Sequence, residues 1–121
     1  MRPKKDDKRE HRIIYEIVVD CYDEYERASG WWCYLDDMLK FPFKAKCIQE
    51  HSISFLKKGE IVTVLHIADQ DDCESEMFVI VEFKEHEFGV PLIQLQPIDS
   101  DDQTVEAIED WRYWVNQGYT F

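Results

Sequence analysis

A chain of 121 residues with 45% hydrophobic and 14% aromatic content supplies one packed domain rather than two. Asp and Glu number 26 against 14 Lys and Arg, a formal net charge of −12. That balance excludes nucleic acid and anionic membrane as partners of the body, because no phosphate-neutralising face is on offer. It favours cations or a basic partner.

Residues 1–12 hold six bases (Arg2, Lys4, Lys5, Lys8, Arg9, Arg12) against three acids (Asp6, Asp7, Glu10), net +3. The other 109 residues therefore carry 8 bases and 23 acids, net −15. Residues 1–12 read as a basic disordered arm, solvated on all sides, with a weak anchor or address as the competing reading. No apolar core follows the charges, as a signal peptide requires, and no apolar run is long enough to cross a bilayer. The expectation is a cytoplasmic protein with no membrane insertion. Cys21, Cys33, Cys47 and Cys73 lie far apart with no C-x-x-C pair, which argues against structural zinc and for reduced thiols. Cys21, Cys33 and Cys47 fall on apolar faces, as small core residues do.

Residues 13–121 read as a single domain, helical over 13–40, β over 43–98 and helical again over 100–117. Ile13, Ile14, Ile17, Val18, Cys21 and Tyr22 form a broad stripe at helical spacing, and Ala28, Trp31, Trp32, Leu35, Met38 and Leu39 continue it until Pro42 stops it. The periodicity allows one helix or a pair broken near 20–23. Gly30 sits inside the pattern at a cost of about 1 kcal/mol relative to Ala. Beside two tryptophans, it points to the close approach of another backbone.

Phe43, Ala45 and Cys47 alternate with Lys44 and Lys46, as in a half-buried strand. A turn at 57–60 opens the apolar run 61–67, and after an acidic loop come a strand at 77–83, a charged tip at 84–87 and a strand at 88–92. Near-continuous apolar strands suggest that both faces are covered, as in a small closed barrel. The segment 90–97 looks like the close of an SH3-like barrel. Ser100 and Gln103 have capping-box spacing ahead of Val105, Ile108, Trp111 and Val115, and Gly118 marks a helix stop. The fold class is α+β: an N-terminal helix or helix pair, a small SH3-like β-barrel and a C-terminal helix.

Three acidic constellations compete for the chemistry. In Asp69-Gln70-Asp71-Asp72-Cys73-Glu74-Ser75-Glu76, five of eight side chains are carboxylates and no base interrupts them. Their repulsion is relieved by water or by a bound cation, and crowded hard oxygens are what Ca²⁺ requires. The loop is not an EF-hand, lacking the turn glycine and the closing glutamate. Asp36 and Asp37 fall in the last turn of a helix, where the macrodipole is already negative, so a cation or Lys40 must offset them. Asp99, Asp101 and Asp102 stand at a helix start, where acids are favourable without any ion. Asp20, Asp23 and Glu24 form a weaker group on a solvated face.

Catalysis has no support. A Gly-rich phosphate loop, H-E-x-x-H and G-x-S-x-G are all missing, and His11, His51, His66 and His86 stand in unrelated settings. His66, inside an apolar run, reads as a satisfied core residue.

Taken in order, Glu16-Ile17-Val18-Val19-Asp20, Tyr22-Asp23, Glu26-Arg27-Ala28, Gly30-Trp31, Tyr34-Leu35 and 41–47 (FPFKAKC) resemble the cyanobacterial-type, CcbP-like calcium-binding protein family. So do Asp71, Cys73-Glu74, Glu76-Met77-Phe78-Val79, Val90-Pro91-Leu92, Gln94-Leu95, Pro97-Ile98-Asp99, Asp110-Trp111, Tyr113-Trp114-Val115 and Gly118-Tyr119. The resemblance implies a cytosolic protein that binds Ca²⁺ without EF-hands, as a buffer or signal modulator. It implies ligands among Asp36, Asp37, Asp71, Asp72, Glu74 and Glu76. The competing function is an acidic SH3-like module that binds a basic protein or peptide.

Overall fold

A computed structural model describes residues 4–121. Helix α1 (Asp7–Arg12) opens on Asp6, whose carboxylate accepts the Arg9 amide, and runs directly into a π-helical turn at Ile13–Ile17. From Asp7 onward the expected disordered arm is thus a folded helix; Arg2 lies outside the described residues.

The reason is Asp110, fully buried on the last helix. Its Oδ1 accepts Arg9 Nη1 and Arg12 Nη2, each at 2.7 Å, and its Oδ2 accepts Arg12 Nε at 2.9 Å and the Tyr34 hydroxyl at 2.7 Å. A carboxylate without water needs charge partners and filled lone pairs. The bases of the arm supply both. Glu109 and Glu106 extend the pairing, at 3.5 Å from Arg9 and 3.6 Å from Arg12. Burial and the Asp110 hydrogen bond push the Tyr34 phenol well above its ordinary pKa.

The chain breaks between Val18 and Asp23, with Asp20 in the left-handed region (φ 59°). Asp23 then caps α2 (Glu24–Met38) by accepting the Glu26 amide at 2.8 Å. The two helices touch at Gly30, where a Cβ would meet the Ile17 carbonyl oxygen at 2.5 Å. Only glycine permits that crossing. Trp31 and Leu35 are fully buried, and the Trp31 ring meets Trp111 and Trp114 at centroid distances of 5.1 and 5.6 Å.

Strands β1 (Phe43–Cys47), β2 (Ile61–Ile67), β3 (Phe78–Phe83), β4 (His86–Pro91) and β5 (Leu95–Ile98) form one antiparallel sheet in the order β4-β3-β2-β1-β5. Lys84 and Glu85 (φ 53° and 69°) make the tight β3–β4 turn, whose double positive φ matches the twist of a two-residue hairpin. The inner face buries Ala45, Cys47, Val62, Val64, Val79, Val81 and Val90 against the helices. β4 and β5 are edges, so the ladder is an open sheet rather than a fully closed barrel.

Three local readings differ. Cys33 is exposed, because the buried stripe of α2 runs through Ala28, Trp31 and Leu35 on the opposite side. His66 is exposed as well, since a bulge between Val64 and His66 resets the alternation of β2. Helix α3 (Asp102–Asn116) is capped by Asp101, which accepts the Thr104 amide at 2.9 Å, while Gln103 reaches Met38 Sδ instead of closing a box with Ser100.

Two outcomes follow from the crossing and the clamp. Gly30→Ala gains about 1 kcal/mol of helix propensity, yet it should lower the urea midpoint because the Cβ collides with backbone. Tyr34 has a folded pKa above its unfolded value, so its contribution is intact below pH ~10 and lost as pH rises beyond. Unfolding free energy should fall with pH above ~10, and Tyr34→Phe should flatten that slope.

Candidate metal centre

The acidic loop joins β2 to β3 and is fastened at both ends. Ala68, Cys73 and Met77 are buried. The Ala68 carbonyl accepts Trp32 Nε1 at 2.8 Å, and its amide bonds the Phe78 carbonyl at 3.0 Å. Between them Gln70–Cys73 forms a 3₁₀ turn, in which the Asp72 amide reaches the Asp69 carbonyl at 2.9 Å. Gln70 Nε2 donates to Ser29 Oγ at 2.6 Å, and Cys73 Sγ accepts the Phe78 amide at 3.4 Å. Burial pushes the Cys73 thiol up, which keeps it protonated in this apolar anchor.

With Gln70 and Cys73, one 3₁₀ turn apart, tied inward, Asp69, Asp71, Asp72 and Glu74 are all exposed. None of these four forms an ion pair with a described residue. Glu76 is different. It is half-buried, and its shielded Oε1 lies 3.1 Å from His51 Nε2. His51 comes from the β1–β2 connection, 25 residues away, and no sequence signal links the two.

Asp36 and Asp37 are exposed in the last turn of α2. Lys40, the candidate offset, pairs instead with Asp101 at 3.1 Å. Ser29 and Trp32 hold the root of the loop, and Asp36 falls on their side of the helix at i+7 and i+4. Asp101 is engaged twice, as cap of α3 and as partner of Lys40, and the Thr104 hydrogen bond is the main cause of its lowered pKa. A further acid lies near the loop: Glu24 shares a cleft of about 570 Å³ with Glu74, Ser75, Tyr25, Thr120 and Phe121.

The donors are carboxylate oxygens, all but that of Glu76 exposed and without a basic partner among the described residues, which is the hard-ligand chemistry of Ca²⁺ rather than of zinc or copper. Among the described residues no three His, Cys, Asp or Glu side chains converge into a preassembled cage. The donor set fits the ion in kind.

The sequence profile of a family described as calcium binding matches residues 11–115. The chain belongs to the CcbP family of calcium-binding proteins. CcbP of Anabaena, known from its crystal structure, is similar at 42% identity with a TM-score of 0.89, over 98% of this chain and 98% of that one. A calcium-binding protein solved in its calcium-binding form is similar at 42% identity with a TM-score of 0.87, over 97% and 96% of the two chains. No curated protein matches this chain in sequence. The family assignment spans both α2 and the acidic loop, the two elements that carry the candidate ligands.

Asp36 and Asp37 oppose the helix dipole with no ion pair to a described residue. Asp36→Asn and Asp37→Asn should each raise the stability of the calcium-free protein by about 0.3–1 kcal/mol, read from urea unfolding in chelator.

Proposed function

We propose that this member of the CcbP family binds Ca²⁺ on the outer wall of the acidic loop, with Asp71, Asp72, Glu74 and Glu76 as the principal ligands. Asp36 and Asp37 complete the negative field from the end of α2. The observation that carries the reading is the loop itself. Its ends are fastened by Trp32, Gln70 and Cys73, and Asp69, Asp71, Asp72 and Glu74 are exposed on it with no ion pair to a described residue.

Ca²⁺ takes 6–8 oxygens in a flexible shell, so backbone carbonyls and water fill what the carboxylates leave. Carboxylates this close in sequence repel one another, and a bound ion supplies the charge that lets them converge. Glu76 reaches such a shell by leaving His51. The protein then serves as a cytosolic calcium buffer or signal modulator, its SH3-like sheet acting as scaffold rather than as peptide groove. The short turn Leu92–Gln94 before β5 and the strand order support that description of the sheet. No step of catalysis is assigned to any group.

Saturating Ca²⁺ at 100 times its dissociation constant should stabilise the fold by about 2.7 kcal/mol. At this chain length that is a rise of roughly ten degrees in melting temperature. Mg²⁺ should give far less, since it sheds water reluctantly. Changing Asp71, Asp72, Glu74 and Glu76 to their amides should raise the calcium-free melting temperature slightly and abolish the calcium-induced rise. Wild-type calcium affinity in that quadruple variant would remove the loop as the site. Equal shifts from Ca²⁺, Mg²⁺ and plain salt would mean charge screening only.

A further inference from the structure

Outside the acidic loop, the exposed apolar surface is unevenly placed. Eight large hydrophobic residues are exposed among the described residues, and five of them fall in twelve positions: Ile14, Tyr15, Val19, Tyr22 and Tyr25. Tyr22 is 81% exposed, the most open of the eight. Interleaved with them are five exposed acids, Glu16, Asp20, Asp23, Glu24 and Glu26, and no Lys or Arg occurs from 13 to 26. Tyr25 lines the cleft that it shares with Glu74, Thr120 and Phe121.

This corner is tied to the core at several points. Ile13 and Ile17 are buried beneath it, and the Ile17 carbonyl rests against Gly30. Asp23 caps α2, and Cys21 Sγ lies 3.3 Å from the Glu26 carbonyl and 3.5 Å from that of Val19, tying the break to the first turn of α2. Tyrosines present a large contact area at low entropic cost, because only two side-chain torsions are fixed on binding. A solvated helix turn has no need of five apolar side chains, whereas exposed apolar groups ringed by charge are the make-up of a docking patch.

We propose that the corner formed by residues 14–26 is a docking surface for a protein partner that presents an apolar centre ringed by Arg and Lys. The acids not engaged as a cap, Glu16, Asp20, Glu24 and Glu26, set the sign of the partner and steer its approach. Tyr22 and Tyr25 supply faces over which guanidinium groups stack, while Tyr15, whose ring lies 4.6 Å from that of His11, joins Ile14 and Val19 as apolar contact area. The inference takes the basic-partner reading of the charge and moves it from the sheet to the helical corner. It does not depend on calcium, and its failure leaves the loop assignment untouched.

The test uses the full chain, isotopically labelled, titrated with a helical peptide bearing a leucine stripe flanked by arginines. Two control peptides replace arginine by glutamate, or leucine by alanine. Amide shifts should concentrate at 14–26 for the first peptide and vanish for the glutamate control. The alanine control should bind at least about tenfold more weakly. Tyr15→Ser combined with Val19→Ser and Tyr22→Ser should cost about tenfold or more in affinity. Glu16→Gln combined with Asp20→Asn and Glu26→Gln should flatten the salt dependence. In both variants the amide spectrum away from 14–26 should match wild type, which shows them folded whether or not the loop binds calcium.

Shifts centred on the acidic loop, equal binding of the alanine control, or wild-type affinity in the tyrosine variant would each overturn the proposal. So would concentration-dependent dimerisation in sedimentation that the tyrosine variant abolishes, which would make a second copy the occupant. Binding to neutral or anionic lipid vesicles through 14–26 would assign the face to a membrane instead.

Discussion

The four-bonded carboxylate of Asp110 is the constraint on which the helical layer depends. It sits on α3 with no exposure to water, and both oxygens are filled by Arg9, Arg12 and Tyr34. Three segments far apart in sequence, α1, α2 and α3, thereby meet at one charge. Removing both arginines would leave a buried ion uncompensated, so the cluster favours one arrangement of the three helices. Once α1 is clamped, Ile13 and Ile17 enter the core, and Gly30 allows α2 to cross over the Ile17 carbonyl.

That crossing fixes the face of α2 that meets the sheet. Trp31 and Leu35 go inward among Trp111 and Trp114, while Ser29 and Trp32 face the end of β2 and hold the root of the acidic loop. The loop therefore inherits its position from the clamp through two helices. Its own sequence contributes anchoring at Cys73 and Met77 and charge everywhere else. Rigid ends and mutually repelling carboxylates are compatible because the repulsion is discharged into water on one side only.

Acid excess is thus divided among different tasks. Asp110 is structural and neutralised. Asp23 and Asp101 are spent on helix caps, where a carboxylate fills an otherwise unmet amide. Asp69, Asp71, Asp72 and Glu74 of the loop and the pair at the end of α2 make no ion pair with a described residue, while Glu76 lies against His51. The acids of 14–26 lie among exposed tyrosines, where a basic protein surface is the matching chemistry.

Periodicity alone determined the α+β class, the strand at Phe43–Cys47, the run Ile61–Ile67 and the glycine contact at Gly30, because spacing and local sterics act within a few residues. Charge clustering alone marked the loop. The pairing of Arg9 and Arg12 with Asp110, about a hundred residues away, was decided by the tertiary fold, and with it the conversion of a basic arm into a helix. The same holds for His51 against Glu76, Lys40 against Asp101 rather than Asp36 or Asp37, and the outward turn of His66 at a bulge. A charge in a sequence shows its sign and its near neighbours. Which opposite charge loses its water beside it depends on which surfaces the packed helices and sheet bring together.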